Sequence, residues 1–188
     1  MAGETLNVLM ICGSLRKGSF NRKLMQLLPG LAPPVMKLTE APPFSGFPLY
    51  NFDIQNEQGF PAEVNALADA IRAADGLIVV SPEYNWSIPG GWKNAIDWMS
   101  RMKDQPFADK PVLLQSAAGG LLGGARMQYH LRQSLTSVDV LLFGRPEVII
   151  TFAAQKFDDA GNLKDDTARD LIKQQLAGFA KFIRRVKQ

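Results

Sequence analysis

Short apolar runs alternate with helix-spaced apolar stripes along the whole chain. Asn7–Cys12 is a branched apolar run ended by Gly13, the pattern of a buried strand. After a polar loop, Leu24, Leu27, Leu28 and Leu31 fall at i, i+3, i+4 and i+7, one face of a helix stopped by Pro33 and Pro34. Val35–Leu38 predicts a second strand. Ala41–Gly59 is rich in Pro, Gly and aromatics, shows no period and reads as a long loop. A helix then starts at Pro61, with Val64, Leu67, Ala68 and Ile71 facing inward. Gly76 breaks it, and Leu77–Val80 predicts a third strand. Beyond the loop Ser81–Pro89, the residues Trp92, Ala95, Ile96 and Met99 return to helical spacing. Pro111–Gln115 predicts a fourth strand, followed by a loop of small residues, Ser116–Gly124. Met127, Leu131, Leu135 and Val138 mark a further helix face. Val140–Phe143 and Val148–Thr151 read as a fifth strand interrupted around Pro146. Lys156–Asp166 is a polar turn region, and Ile172, Leu176, Phe179 and Ile183 form the inner face of a last helix.

Strict alternation of strands and helices predicts an α/β fold: a parallel sheet covered by helices on both faces, three layers in all. The length fits one domain over residues 1–188, with no repeat and no linker. Five strands in a chain of this size predict the flavodoxin-like order 2-1-3-4-5. Ligands of such sheets sit at the carboxyl ends of the strands. The loops after strands one, three and four are therefore where chemistry is expected.

Composition narrows the class of partner. Hydrophobic residues make up 46 % and charged residues 21 %, with a net charge of +3. That balance is ordinary for a soluble globular protein, and no basic run interleaved with aromatics predicts a nucleic-acid face. The densest basic patch, Lys181, Arg184, Arg185 and Lys187, falls where cations suit a helix C-terminus. Cys12 is the single cysteine and His130 the single histidine, which excludes an internal disulfide and a conventional zinc site. Cys12 ends an apolar run and reads as a buried, inert thiol. His130 reads as structural or interfacial. Met1–Thr5 lacks the pattern of a secretion signal, and no apolar run reaches the ~20 residues that span a bilayer. A cytoplasmic location and no membrane partner are the expectations.

The first loop, Gly13–Asn21, offers Ser14, Ser19, Arg16 and the free amides of a helix start, a donor set suited to phosphate. It lacks the Gly-Lys-Ser/Thr ending of a P-loop and is not a G-x-G-x-x-G fingerprint. The competing reading is a plain N-cap beside a solvated basic loop. The third-strand loop combines two prolines, two aromatics and two glycines between Ser81 and Gly91. Such a loop can present a flat wall and main-chain hydrogen bonds to a heterocycle. The alternative is a turn whose Tyr84 and Trp86 only pack.

Read together, two strings resemble the NADPH-dependent FMN reductase family. They are Gly-Ser-Leu-Arg-x-Gly-Ser-x-Asn from Gly13 and Pro-Glu-Tyr-Asn-x-Ser-x-Pro-Gly-x-x-Lys-Asn-Ala-Ile-Asp-Trp from Pro82. Within that family the chain is most similar to bacterial quinone and chromate reductases. The likeness extends through Pro48–Tyr50, Gly123–Arg126, Tyr129–Gln133 and Phe182–Lys187. It implies non-covalent FMN with its phosphate near Ser14, Arg16, Ser19, Phe20 and Asn21. It implies an isoalloxazine bordered by Pro82, Glu83, Tyr84 and Asn85, and approached by Ser116, Ala117 and Gly120. Trp86 stands where the family commonly has tyrosine. The resemblance further implies a homo-oligomer, a dimer or a homotetramer, with Arg126, Tyr129 and Glu147 pairing across subunits or, in the plainer reading, bonding within one surface.

The implied activity is a ping-pong transfer of electrons from NAD(P)H to quinones, flavins or oxidised metal anions such as chromate. The flavin N5 carries the chemistry, so no catalytic side chain is required. Arg101 is a candidate contact for an anionic substrate or cofactor phosphate, in its own or a neighbouring subunit, against the plainer role of a helix C-terminal cation. Two other functions compete: a flavodoxin-type electron carrier without NAD(P)H chemistry, and a phosphate-binding module without flavin. Carriers of the first kind are usually acidic, and this chain is basic.

Overall fold

A computed structural model describes residues 4–187. Of the Met1–Thr5 stretch discussed above, residues 1–3 lie outside the described residues. The elements run β1 (Leu6–Cys12), α1 (Phe20–Leu31), β2 (Met36–Glu40), α2 (Phe52–Gln58), α3 (Ala62–Ala73) and β3 (Gly76–Val80). Then follow α4 (Gly90–Met99), β4 (Pro111–Ala117), α5 (Ala125–Thr136), β5 (Leu141–Leu142), β6 (Val148–Ile150), α6 (Ala153–Lys156) and α7 (Asp166–Val186). The sheet is parallel in the order β2-β1-β3-β4-β5, and β6 also pairs with β4. This is the flavodoxin-like order expected from the alternation.

Period-two alternation sends neighbouring strand residues to opposite faces. Val8, Met10 and Cys12 join Ile78, Val80 and Leu113 beneath α1 and α7. Leu9 and Ile11 join Leu77, Val79, Val112 and Leu114 beneath α3, α4 and α5. Both faces are buried, which is why the strands read as continuous apolar runs.

Four details differ from the pattern. Phe52–Gln58 is a helix inside the segment read as loop, capped by Asn51, whose side chain accepts from the Asp53 N–H. It buries none of its residues, so it has no apolar stripe to betray it. Ala153–Lys156 forms a short helix that the pattern left unassigned. Gly76 opens β3 instead of only ending a helix; a Cβ there would lie 2.9 Å from Ile183 Cδ1, so α7 packs against the bare backbone. The fifth strand is two short pieces. Leu141–Leu142 pairs with Pro111–Val112, and Val148–Ile150 pairs with Gln115–Ala117. Between them, Gln175 of α7 fills the gap: its amide donates to Pro146 O at 2.7 Å and its carbonyl accepts from Gln115 at 2.8 Å.

No helix among the described residues is long and apolar enough to cross a membrane. Asp165 caps α7 by accepting from the Ala168 N–H at 2.9 Å. At its far end Lys187 reaches Asp75 at 2.7 Å, and Asp75 also accepts from the Asn7 N–H. Burial works against the Asp75 carboxylate, but these hydrogen bonds and the nearby Lys110 charge outweigh it and hold its pKa below the usual value.

Candidate functional site

The carboxyl ends of β1, β3 and β4 converge on one edge of the sheet, and each predicted loop leaves from it. At Gly13 the chain turns against β3; a Cβ there would collide with the Ser81 side chain, so only glycine lets the two strand ends approach this closely. Ser19 caps α1, its hydroxyl accepting from the Asn21 N–H at 3.2 Å. That leaves the Ser19 proton free to donate. Ser14 accepts from the Arg16 N–H at 3.4 Å. Both serines are nearly buried, whereas Arg16 is exposed above them. Phe20 turns its ring to Phe157, with centroids 5.9 Å apart, so it has only its backbone N–H to offer. Two hydroxyls, an arginine and the positive end of α1 make a donor set that fits a phosphate dianion.

Beside this loop lies a cavity of about 410 Å³ lined by Ser14, Leu15, Glu40 and Phe44. Arg22 and Glu40 bridge its wall at 2.6 Å, and that hydrogen bond raises the Arg22 pKa. Cys12 also lines it, and burial pushes the thiol pKa up, as suits an inert cysteine.

After β3 the chain forms a tight two-residue turn. Tyr84 and Ser87 exchange backbone hydrogen bonds of 3.0 and 2.9 Å. The residues between them, Asn85 and Trp86, have φ of 47° and 67°. Asparagine tolerates this left-handed region, and tryptophan rarely enters it. Contacts from α5 hold the turn there. The Arg126 guanidinium lies 4.0 Å from the Trp86 ring centroid and 3.5 Å from Glu83. Glu83 also accepts from the Met127 N–H at 3.2 Å, and Ser87 Oγ lies 2.8 Å from His130 Nδ1. Pro82 is buried behind the turn, while Tyr84 and Trp86 stand out as an aromatic wall, 49 % and 70 % exposed.

The segment after β3 faces the end of β4. Ser116 and Ala117 belong to that strand and not to the loop after it. Ser116 has no exposed surface: its hydroxyl accepts from Gln128 at 2.9 Å, and Gly124 presses on it so closely that a Cβ would lie 2.8 Å from its own. Ala117 is bonded through both its N–H and its C=O to the side chain of Asn21. The accessible part of this loop is Ala118–Gly120. A Cβ on Gly119 or Gly120 would meet nothing within 4 Å, so both leave room for a ligand.

The structure thus gathers Ser14, Arg16, Ser19, Glu83, Tyr84, Asn85 and Gly120 on one edge. Within one chain it does not bring Arg101 there. Helix α4 runs antiparallel to the strands, and Arg101 lies past its far end, its guanidinium 5.4 Å from the Tyr50 ring centroid. Within one chain Tyr129 donates to Glu147 at 3.3 Å, and Arg132 reaches Glu147 at 3.4 Å. Gln128 escaped the sequence reading, and His130 was read only as structural or interfacial; both support the site from α5. Gln128 follows Gly124 by one helical turn, which is the signal that would have found it.

The sequence pattern of the family described as NADPH-dependent FMN reductase matches residues 6–155. The chain is 49 % identical over 185 residues to the quinone reductase of Escherichia coli strain K12, covering 98 % of each. It is 47 % identical over 184 residues to an NAD(P)H-dependent FMN reductase of Pseudomonas aeruginosa, again with 98 % of each covered. Among solved structures it is similar to FerB, a flavoenzyme NAD(P)H:(acceptor) oxidoreductase of Paracoccus denitrificans. That likeness has a TM-score of 0.86 and 31 % identity, and covers 96 % of this chain and 98 % of FerB. With a fold in the expected strand order and its loops on the expected edge, the chain belongs to the NADPH-dependent FMN reductase family.

Proposed function

We propose that this enzyme holds FMN non-covalently across the loops after β1, β3 and β4 and uses NAD(P)H to reduce quinones and other small acceptors, oxidised metal anions such as chromate included. The observation that carries this reading is the phosphate-suited donor set of Ser14, Arg16 and Ser19 on the same sheet edge as the Glu83–Asn85 turn. When bound, FMN would supply the redox chemistry. Ser14, Ser19, Arg16 and the Phe20 N–H would take its phosphate. Pro82–Asn85 would border the ring on one side, with the backbone of Ala118–Gly120 on the other. Tyr84 and Trp86 would form a wall against which flat substrates stack in turn, which is the geometry of a ping-pong order. Among the described residues this edge presents no paired carboxylates, and the reading needs none. Soluble expression in the cytoplasm and assembly into a homodimer or homotetramer complete the proposal, with Arg126, Tyr129 and Glu147 near the contact.

An anaerobic absorption spectrum of the FMN-reconstituted protein tests it, recorded before and after NADPH, then NADH, then a quinone. Bleaching by a nicotinamide donor and recovery with the quinone is the expected result. A bound flavin that stays oxidised would favour an electron carrier of the flavodoxin type. No bound flavin would overturn the reading of both loops.

A further inference from the structure

Asn21 was expected beside the phosphate, but its geometry points elsewhere. Its backbone N–H is taken by Ser19 Oγ. Its carboxamide oxygen accepts from the Ala117 N–H at 2.9 Å, and its carboxamide nitrogen donates to the Ala117 carbonyl at 2.8 Å. The residue is 2 % exposed, so it turns no donor outward.

The reason lies in the sheet. Strand β3 follows β4 only as far as the pair Val80–Gln115, with Ser81 N–H still donating to Gln115 O. It then turns away at Pro82. Ala117, two residues on, points its N–H and C=O toward the vacated side, because alternate residues of a strand face the same edge. On the opposite side Ala118 is served by Ile150 and Ala153. Without a partner, both buried backbone groups of Ala117 would be unsatisfied, which is costly. The Asn21 amide has the same donor and acceptor as a peptide, and it occupies that place.

We infer that Asn21 is a positioning residue: its side chain stands in for the missing strand and ties the first turn of α1 to the end of β4. This contact joins residues 96 positions apart. It sets the distance between the phosphate loop and the Ala118–Gly120 segment, and so the span available to the flavin. The inference rests on the FMN reading proposed above.

Riboflavin separates the two roles, since it has the ring and ribityl chain but no phosphate. Affinities of FMN and riboflavin are measured by fluorescence titration for wild type, Asn21→Ala and Arg16→Ala. Asn21→Ala is expected to weaken both ligands by about tenfold, to within threefold of one another. Arg16→Ala is expected to weaken FMN alone. An FMN loss in Asn21→Ala more than threefold greater than the riboflavin loss would make Asn21 a phosphate ligand and overturn the inference. Unchanged affinity for both would overturn it too. Should Asn21→Ala fail to fold, Asn21→Asp keeps the acceptor for the Ala117 N–H, opposes a carboxylate to the Ala117 carbonyl, and carries the same expectation. Amide hydrogen exchange of the ligand-free wild type gives an independent check. Ala117 N–H is expected to be as protected as the amides of the β3–β4 ladder, and rapid exchange there would break the inference. Wild type that binds neither flavin but protects Ala117 would refute the proposed function and leave the strand-mimicking contact standing.

Discussion

Asn85 and Trp86 hold left-handed backbone in adjacent positions, and their consequences differ. An ordinary L-residue pays roughly 1–2 kcal/mol for that conformation, glycine pays nothing, and asparagine pays little. Asn85→Gly is therefore expected to leave urea-induced unfolding of the ligand-free protein nearly unchanged. Asn85→Ala should lower stability by about 1 kcal/mol. Equal midpoints for the two variants would mean that the turn relaxes. For Trp86 the Arg126 guanidinium at 4.0 Å offsets part of the strain, a contact worth about 0.5–1 kcal/mol at an exposed site. Little of this was legible in the sequence. Pro-Glu-Tyr-Asn announced a ligand loop, but nothing local to it says that α5 would reach across to hold it. Asn21 is the sharper case. The family resemblance put it beside the phosphate, and only the early end of β3 points to the different task inferred above.

Strands and amphipathic helices were readable because burial imposes a period on them. Two-sided burial makes β1, β3 and β4 continuous apolar runs, and one-sided burial gives α1, α3, α4, α5 and α7 their stripes. Helix α2 packs no residue deeply and could not be read that way; its only marks are the Asn51 cap and an acidic first turn. The ends of elements carry their own energetics. Asp75 ties the end of α7 to the start of β1 through Lys187 and the Asn7 N–H. Because its folded pKa is depressed, the unfolded chain binds its proton more readily. The stabilisation is present above the unfolded value, about 3.9, and is lost as the pH falls through the folded one. Asp75→Asn should thus be less stable than wild type at pH 7. In acid denaturation below about pH 4 the two curves should converge. A gap that persists at pH 2 would assign the loss to packing and not to charge.

For the molecule as a whole, the bound cofactor is itself a source of stability. A ligand that binds only the folded state at a hundredfold excess over its Kd adds about 2.7 kcal/mol. For a domain of this size that corresponds to a rise of roughly 5–10 °C in Tm. Thermal melts with and without FMN are expected to show this rise, with a smaller one for riboflavin. No shift with either would contradict the site on the β1–β3–β4 edge. Subunit assembly is expected to appear as a mass of two or four chains in sedimentation, reduced in Glu147→Ala. Unchanged assembly in that variant would confine Tyr129, Arg132 and Glu147 to the network they form within one chain.

Helix α7 lies beyond the part of the chain that the family pattern covers, yet together with α1 it closes one face of the sheet, through Ile172, Leu176, Phe179 and Ile183. Every strand and every loop of the site precedes these residues in the chain, and the part of the face they cover stays bare until α7 docks. Docking of that helix is thus the step that hides the sheet, and the interval before it is when the folding chain is most exposed to aggregation.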